Sequence, residues 1–437
     1  MTENTVLDNN VSSIIKKEGI PKLRFPEFDT LWEQISFSDI FDILQNNTYA
    51  RADLNYKIKN TKNIHYGDIL VKFNEYVDVQ NNNVPFINNE KNLSKFKSES
   101  YLRDGDIIIA DTAEDETVGK VTEISNTNEQ KVLSGLHTIP CRPKRKFASM
   151  FLGFYMNSES FHKQLIPLIT GIKVSSISKT SIATTTISVP LFEEQEKISK
   201  FMIAINNMIK EQESSISILE TYNKGLISQI FKQEIRFKDD NGNEFPDWEK
   251  VKLFDLVEHY GGTALEPLVI ENGSCKFISI GNYSPNGKYI DNGQRINPVG
   301  KAKDKQLKKD DLVMVLNDKT KNGTIIGSTI LIDDDNYIYN QRSERLICKK
   351  NVLPYFLWSY INSPLIKNKI LQLVQGGTQI YVNFSSVYNM DMHLPIMEEQ
   401  NKIANFLKQL DKILEQEKVY LEQLKTIKKG LLQQMFI

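Results

Sequence analysis

Cysteine is scarce: the chain has three, Cys141, Cys275 and Cys348, far apart and without a Cys-x-x-Cys pair. That spacing excludes a disulfide framework and a zinc knuckle, and it fits a reducing interior. The five histidines, His65, His137, His162, His259 and His393, are scattered with no second ligand at metal spacing, so they read as structural. No apolar run approaches the roughly 20 residues that cross a bilayer. The first residues carry acidic side chains early and no apolar core region, so neither a membrane partner nor a secretory leader is expected and the cytoplasm is the expected location. An excess of charge is missing as well, since 54 basic residues stand against 55 acidic ones for a net charge of −1. A uniformly basic surface is thereby excluded, although local patches are not.

Catalytic signatures are also missing. Gly281 to Lys288 resembles a phosphate loop, but five residues separate Gly281 from Gly287 and Tyr289 follows the lysine, so it reads as a turn. Pro246-Asp247-Trp248-Glu249-Lys250 bunches its carboxylates too tightly for a nuclease site. No glycine-rich strand-to-helix turn suits S-adenosylmethionine, and no Pro-Pro-aromatic motif of a base methyltransferase is present.

What the chain does have is a repeat. PLFEEQEKISKF from Pro190 returns as PIMEEQNKIANF from Pro395, and KGLISQIF ending at Phe231 returns as KGLLQQMF ending at Phe436, all at an offset of 205 residues without a gap. Each copy has helix periodicity. Apolar residues recur every seven at Ile198, Ile205, Leu219 and Leu226, and at Ile403, Leu410, Leu424 and Leu431, with Phe201, Met208 and Ile216 or Phe406, Ile413 and Tyr420 near the complementary seam. Gln212 and Glu417 break the two series at matching heights, as register-fixing polar residues of a coiled coil would. Proline opens each helix, and the Glu-Glu-Gln behind it suits the positive end of the helix dipole.

Between these helices lie two bodies of ordinary domain size. Short strand-like runs dominate both: Asp68–Val71, Asp106–Ile109, Phe277–Ile280 and Leu312–Val315. Each body then has one helical segment, Met150 to Ile166 and Tyr355 to Leu373, followed by a glycine loop, ITGIKVSSISKTS or VQGGTQIYVNFSS, with Gly171 and Gly376 again 205 apart. The opening Leu23-Arg24-Phe25-Pro26-Glu27-Phe28 with Trp32 is echoed after the first helix by Ile235-Arg236-Phe237 and Glu244-Phe245-Pro246-Asp247-Trp248. What opens the chain therefore belongs beside the end of the second helix as well.

These motifs, along essentially the whole chain, resemble the specificity subunit of type I restriction-modification systems. The resemblance implies an α+β protein: two β-rich α/β target-recognition domains separated by two long antiparallel coiled-coil helices, with pseudo-two-fold symmetry. The expected division is a flexible tail at residues 1–20, recognition domains at 21–189 and 234–394, and spacer helices at 190–233 and 395–437. It further implies a non-catalytic subunit without cofactor that reads double-stranded DNA and docks two methyltransferase subunits. S-adenosylmethionine, ATP and Mg belong to those and to the restriction subunits.

Within that frame, DNA contacts follow from side-chain chemistry, since Lys, Arg, hydroxyls and backbone amides hold phosphates while Arg, Lys, Asn and Gln read base edges. The glycine loops supply Lys173, Ser175, Ser176 and Lys179 in the first body and Thr378, Gln379, Tyr381 and Asn383 in the second. The tips after the central strands add Lys72 and Asn74, and Asn317, Lys319 and Lys321. Lys144 and Arg145, in a basic run, are candidates for phosphate tracking. A second reading keeps the architecture and drops the DNA: a tandem-domain scaffold whose helices and β-rich bodies bind proteins alone.

Overall fold

Proline stops and long runs of helix-forming residues yield two helices, Phe192–Phe231 of 40 residues and Met397–Gln434 of 38. They belong to a computed structural model that describes residues 19–437 apart from 82, 172, 320, 321 and 378. All but the last two residues of the expected tail thus lie outside the described residues. Two units emerge, one running up to Gln212 and including Tyr420–Ile437, the other Glu213–Val419. Each long helix contributes its first half to one unit and its remainder to the other.

Within each unit, the start of one helix packs against the end of the other. In the first unit Ile198 and Met202 share a core with Met435 and Phe436; in the second, Ile230 and Phe231 share one with Ile403, Ala404 and Leu407. The pair therefore runs antiparallel. Burial concentrates at these ends, where a β-rich body covers the helices, and it fails at Met208, Ile413 and Tyr420, which are 42%, 45% and 44% exposed. The complementary seam expected from the spacing is interrupted there. Gln212 and Glu417 are half-buried.

The β-rich bodies repeat one plan. The first holds a five-stranded sheet in the order Phe41–Ile43, Thr138–Pro143, Ile107–Ala110, Val121–Ser125, Tyr76–Asp78; the second holds Val257–Gly261, Ser343–Cys348, Leu312–Val315, Thr329–Leu331. Both have a further four-stranded sheet with one parallel pair, Lys131–Ser134 beside Thr61–Ile64 and Tyr337–Tyr339 beside Cys275–Ile278. Apolar runs buried on both faces, such as Ile107-Ile108-Ile109 and Leu312-Val313-Met314-Val315, explain why these strands are central. Asp106 and Asp311 begin the central strands beside Arg142 (2.6 Å) and Arg345 (2.7 Å). Burial pushes both carboxyls up, against the pull of those guanidiniums.

Two sequence expectations need correction. Asp68–Val71 is not a strand but part of the helix Tyr66–Val71, whose start is capped by His65 Nδ1 accepting from Gly67 N; it buries Ile69 and leaves Val71 83% exposed. The single helical segment of each body is two helices, Phe151–Met156 with Glu159–Leu165, and Pro354–Ile361 with Pro364–Leu371. An Asn-Ser pair makes each break. Asn157 and Asn362 turn their amides to the backbone of Val121 and Thr329, and Ser158 and Ser363 cap the second helix.

The Glu-Glu-Gln motif has a stronger role than its charge suggests. Glu194 is fully buried, accepting from Arg24 Nε and Nη2 at 2.7 Å each and from Trp32 Nε1 at 3.3 Å. Glu399 does the same with Arg236 (3.2 and 2.9 Å) and Trp248 (3.0 Å). Next to each, Gln195 and Gln400 bond the backbone of Ala148 and Pro190, and of Leu353, Asn351 and Pro395. Removing a buried partner leaves an uncompensated guanidinium, so Glu194→Ala should cost about 3–5 kcal/mol. Glu193→Ala, exposed and one residue away, should cost under about 1 kcal/mol. Urea denaturation of the two variants checks this, and equal losses would refute the anchor.

Candidate nucleic-acid interface

Each central strand ends in the same backbone junction. In the first unit Asp111 N donates to His137 O (3.2 Å), and Asp111 O accepts from Ile177 N (2.9 Å). In the second, Leu316 N donates to Arg342 O (3.0 Å), and Leu316 O accepts from Val382 N (2.9 Å). All three positions differ by 205. The residue after the central strand thus ties together the segment entering the next long strand and the segment returning from the glycine loop.

The glycine loop is a hairpin laid against that junction. Ser175–Ser176 pairs antiparallel with Thr112–Ala113, and Ile380–Val382 pairs with Asn317–Asp318 and with Val374–Gly376. Gly171 (φ +108°) and Gly376 (φ +103°) turn the chain in the left-handed region, and a Cβ on either would collide with a carbonyl oxygen, that of Val174 or of Gln379. This is why a glycine stands at the same place in both loops.

On the first unit's junction, Ser175 and Ser176 are half-buried in the hairpin and Lys173 and Lys179 are exposed, Lys179 opening a short helix behind its cap Ser178. His137 joins them, Nδ1 lying 3.3 Å from Thr112 Oγ1 and 3.5 Å from Asp111 Oδ1. From there the surface continues through rings: Tyr66 meets His137 edge-on at 5.3 Å and His65 at 4.7 Å. Burial lowers the pKa of His65. Beyond them Asp68 pairs with Arg51 (2.5 Å) and Lys72 (3.1 Å), and Lys72 also donates to Tyr56 Oη (2.6 Å). That phenol bond, followed by Asp68, raises the pKa of Lys72, and the Asp68 bond raises that of Arg51. Both stay cationic. Asn74 is exposed just past this cluster.

The second unit presents other chemistry on the same junction. Asn317 stands opposite Tyr381, which is exposed, as are Gln379, Lys319 and Asn383. Asn383 precedes the helix Phe384–Tyr388 without spending its side chain on a cap, whereas Ser178 at the equivalent place does cap. Arg342 is exposed beside them. Lys321 and Thr378 lie outside the described residues.

The structure thus brings the hairpin residues and Asn317 together, and it joins Lys72 to the first unit's surface through Asp68 and the helix Tyr66–Val71. Lys144 and Arg145 land elsewhere. They follow the far end of the strand Thr138–Pro143, roughly 20 Å from His137 at about 3.3 Å per residue. There Lys144 donates to Ser38 O (2.8 Å) and Arg145 approaches Glu33 (3.5 Å). The sequence reading takes His137 as structural and does not single out Arg342, Arg51 or Tyr56. The matched spacing of GLHT and NQRS, 205 apart, was the one available signal for the first two.

The sequence profile described as "Type I restriction modification DNA specificity domain" matches residues 30–220 and 246–426. Among curated proteins of Methanocaldococcus jannaschii, the type I restriction enzyme MjaVIII specificity subunit is 28% identical over 272 residues, 60% of this chain and 64% of that protein. The putative type I restriction enzyme MjaX specificity subunit is 23% identical over 95% of both chains. Among solved structures, the type I S subunit from M. genitalium aligns over 96% of this chain and 99% of its own, with TM-score 0.50 and 13% identity. A chain from a structure of type I R-M complex assembly and conformational transition aligns over 92% and 96%, with TM-score 0.58 and 15% identity. At those identities the structures speak to the fold.

Because both glycines occupy strained backbone, Gly171→Ala or Gly376→Ala should open its hairpin while leaving the rest of its unit folded. Amide exchange at Ser175 and Ser176, or at Ile380 to Val382, should quicken by about 5- to 150-fold, as a local loss of about 1–3 kcal/mol requires. Unchanged exchange in both variants would show that the turn tolerates a side chain.

Proposed function

The chain belongs to the type I restriction-modification DNA specificity family as a non-catalytic specificity subunit, and on that premise we propose a division of labour along it. Each unit reads one half of a bipartite, asymmetric double-stranded DNA target. The two long helices set the spacer between the halves and dock two methyltransferase subunits. Methyl transfer from S-adenosylmethionine and ATP- and Mg-dependent cleavage belong to the methyltransferase and restriction subunits. The observation that carries this reading is the repeated junction: the same pair of backbone hydrogen bonds frames His137, Lys173, Ser176 and Lys179 in one unit and Arg342, Gln379, Tyr381 and Asn383 in the other. A fixed frame with different donors and acceptors suits two half-sites of different sequence. Phosphate contacts from Lys173, Lys179 and Lys72 would position the duplex without choosing it.

Docking is supported by apolar side chains that the helices leave in solvent. Ile218, Tyr222, Val419 and Ile427 are all about half exposed or more, and such residues on a charged helix surface are what a partner would cover. That exposure alone would also suit the scaffold reading; family membership favours DNA.

Mapping methylated positions on DNA modified by the reconstituted complex tests the proposal. A bipartite motif with two unlike halves is expected, and a continuous or palindromic motif would refute it.

Helix length supplies the second test. A helix of 40 residues spans ~60 Å at ~1.5 Å per residue. Four residues inserted after Gln212, close to one turn, should lengthen the spacer by one or two base pairs at ~3.4 Å each, the smaller change being expected because the other helix is unaltered. Both half-site sequences should persist. A spacer that stays unchanged would show that helix length is not the ruler.

A further inference from the structure

Positions 137 and 342 occupy the same place in their units, where the residue after the central strand binds their carbonyl. The sequence offers a histidine at one and an arginine at the other. Arg342 is exposed, and among the described residues no side-chain hydrogen bond or ion pair engages it. Nearby carboxylates are already committed: Glu344 to His259 (2.6 Å), and Glu266 to Asn340 (2.8 Å) and Gln341 (3.1 Å). Those bonds also fix the backbone on both sides of Arg342, together with Ser343 Oγ accepting from Tyr283 Oη at 2.7 Å. An unpaired guanidinium on a rigid base, next to Asn317, Tyr381 and Gln379, has little to reorganise before it meets a ligand. Its planar fork matches the paired acceptors O6 and N7 of guanine in the major groove.

At the equivalent place His137 sits at φ 55°. Asp111 and Thr112 approach its ring at Nδ1 and Tyr66 packs against it at a steep angle, which leaves Nε2 without a protein partner among the described residues. A ring oriented by its other nitrogen presents a single directed group. That suits one hydrogen bond to a base edge rather than a fork.

We propose that Arg342 reads a guanine in the half-site of its unit and that His137 fills the same base-reading position in the other. The assignment rests on the reading that each unit recognises half of a DNA target. It makes these two residues determinants of specificity, whereas Lys173 and Lys179 grip the backbone.

The test uses the full-length chain assembled with its methyltransferase subunits and a library of duplexes randomised at each position of the motif found for the wild type. Arg342→Ala should lower discrimination at one guanine of one half-site by about 10- to 100-fold, with the other half-site, the spacer and the thermal unfolding midpoint unchanged. Arg342→Lys should lose most of that discrimination too, because an ammonium keeps the charge and lacks the fork. His137→Asn, which tolerates the left-handed backbone, should alter one position of the opposite half-site. Preference retained at every position by Arg342→Ala overturns the assignment. So does an even loss over all sequences that Arg342→Lys restores, which marks a phosphate contact. A wild-type complex without any sequence preference would instead overturn the functional reading on which the assignment rests.

Discussion

A buried carboxylate at the start of each long helix holds this architecture together. Glu194 and Glu399 are each fully enclosed and each bound by an arginine fork and an indole N–H from the segment that opens the same unit. A carboxylate taken out of water is costly unless its charge is neutralised and its lone pairs are filled. Three donors meet that demand here, and they come from a stretch 162 to 170 residues away in the first unit and 151 to 163 in the second. Any displacement of the helix start would strand the charge. The interaction therefore ties the opening segment, the helix and the β-rich body between them into one register.

Aromatic packing extends the same tie to the far end of the other helix. Phe436 lies against Trp32, Phe151 and Tyr155, while Phe231 stacks on Tyr360 at 4.6 Å and meets Phe356 edge-on at 5.7 Å. Leu23 N donates to Gln434 O (2.9 Å) and Tyr155 Oη to Ile437 O (2.8 Å), so the opening of the chain lies beside the end of the second helix. In the first unit Glu75 adds a buried link to both helices, through Asn206 (3.1 Å) and Lys428 (2.7 Å); in the second, Tyr355 reaches Asp411 (2.8 Å). Each body is clamped at one edge. The junction with the hairpin carries the exposed and differing side chains.

That separation is what makes one plan serve two purposes. Residues whose chemistry is spent on the frame, such as Asp106 with Arg142 or Asn157 with Val121, recur as Asp311 with Arg345 and Asn362 with Thr329. Residues whose side chains face outward from the same frame do not recur, since the hydrogen bonds of the junction are made by the backbone and not by those side chains. Glycine is the exception at positions 171 and 376, where the backbone itself leaves no room.

The sequence by itself determined the two long helices, their common offset and the placing of both glycine loops, because helix periodicity, proline stops and the positive-φ demand on glycine are local properties that chain order alone expresses. It also carried the resemblance to the family. Only the tertiary structure decided which charges are structural and which face outward. The second glutamate of each Glu-Glu-Gln motif reads as one more first-turn acid until its distant arginine and tryptophan are in place. Arg142, in a run of basic residues, is spent on Asp106, and Lys144 and Arg145 go to the far end of their strand. Asp68–Val71 has the composition of a strand, and burial of one face with a histidine cap made it a helix. Arg342 carries no local signal, for a partner's absence is a property of everything packed around a side chain and of nothing within it.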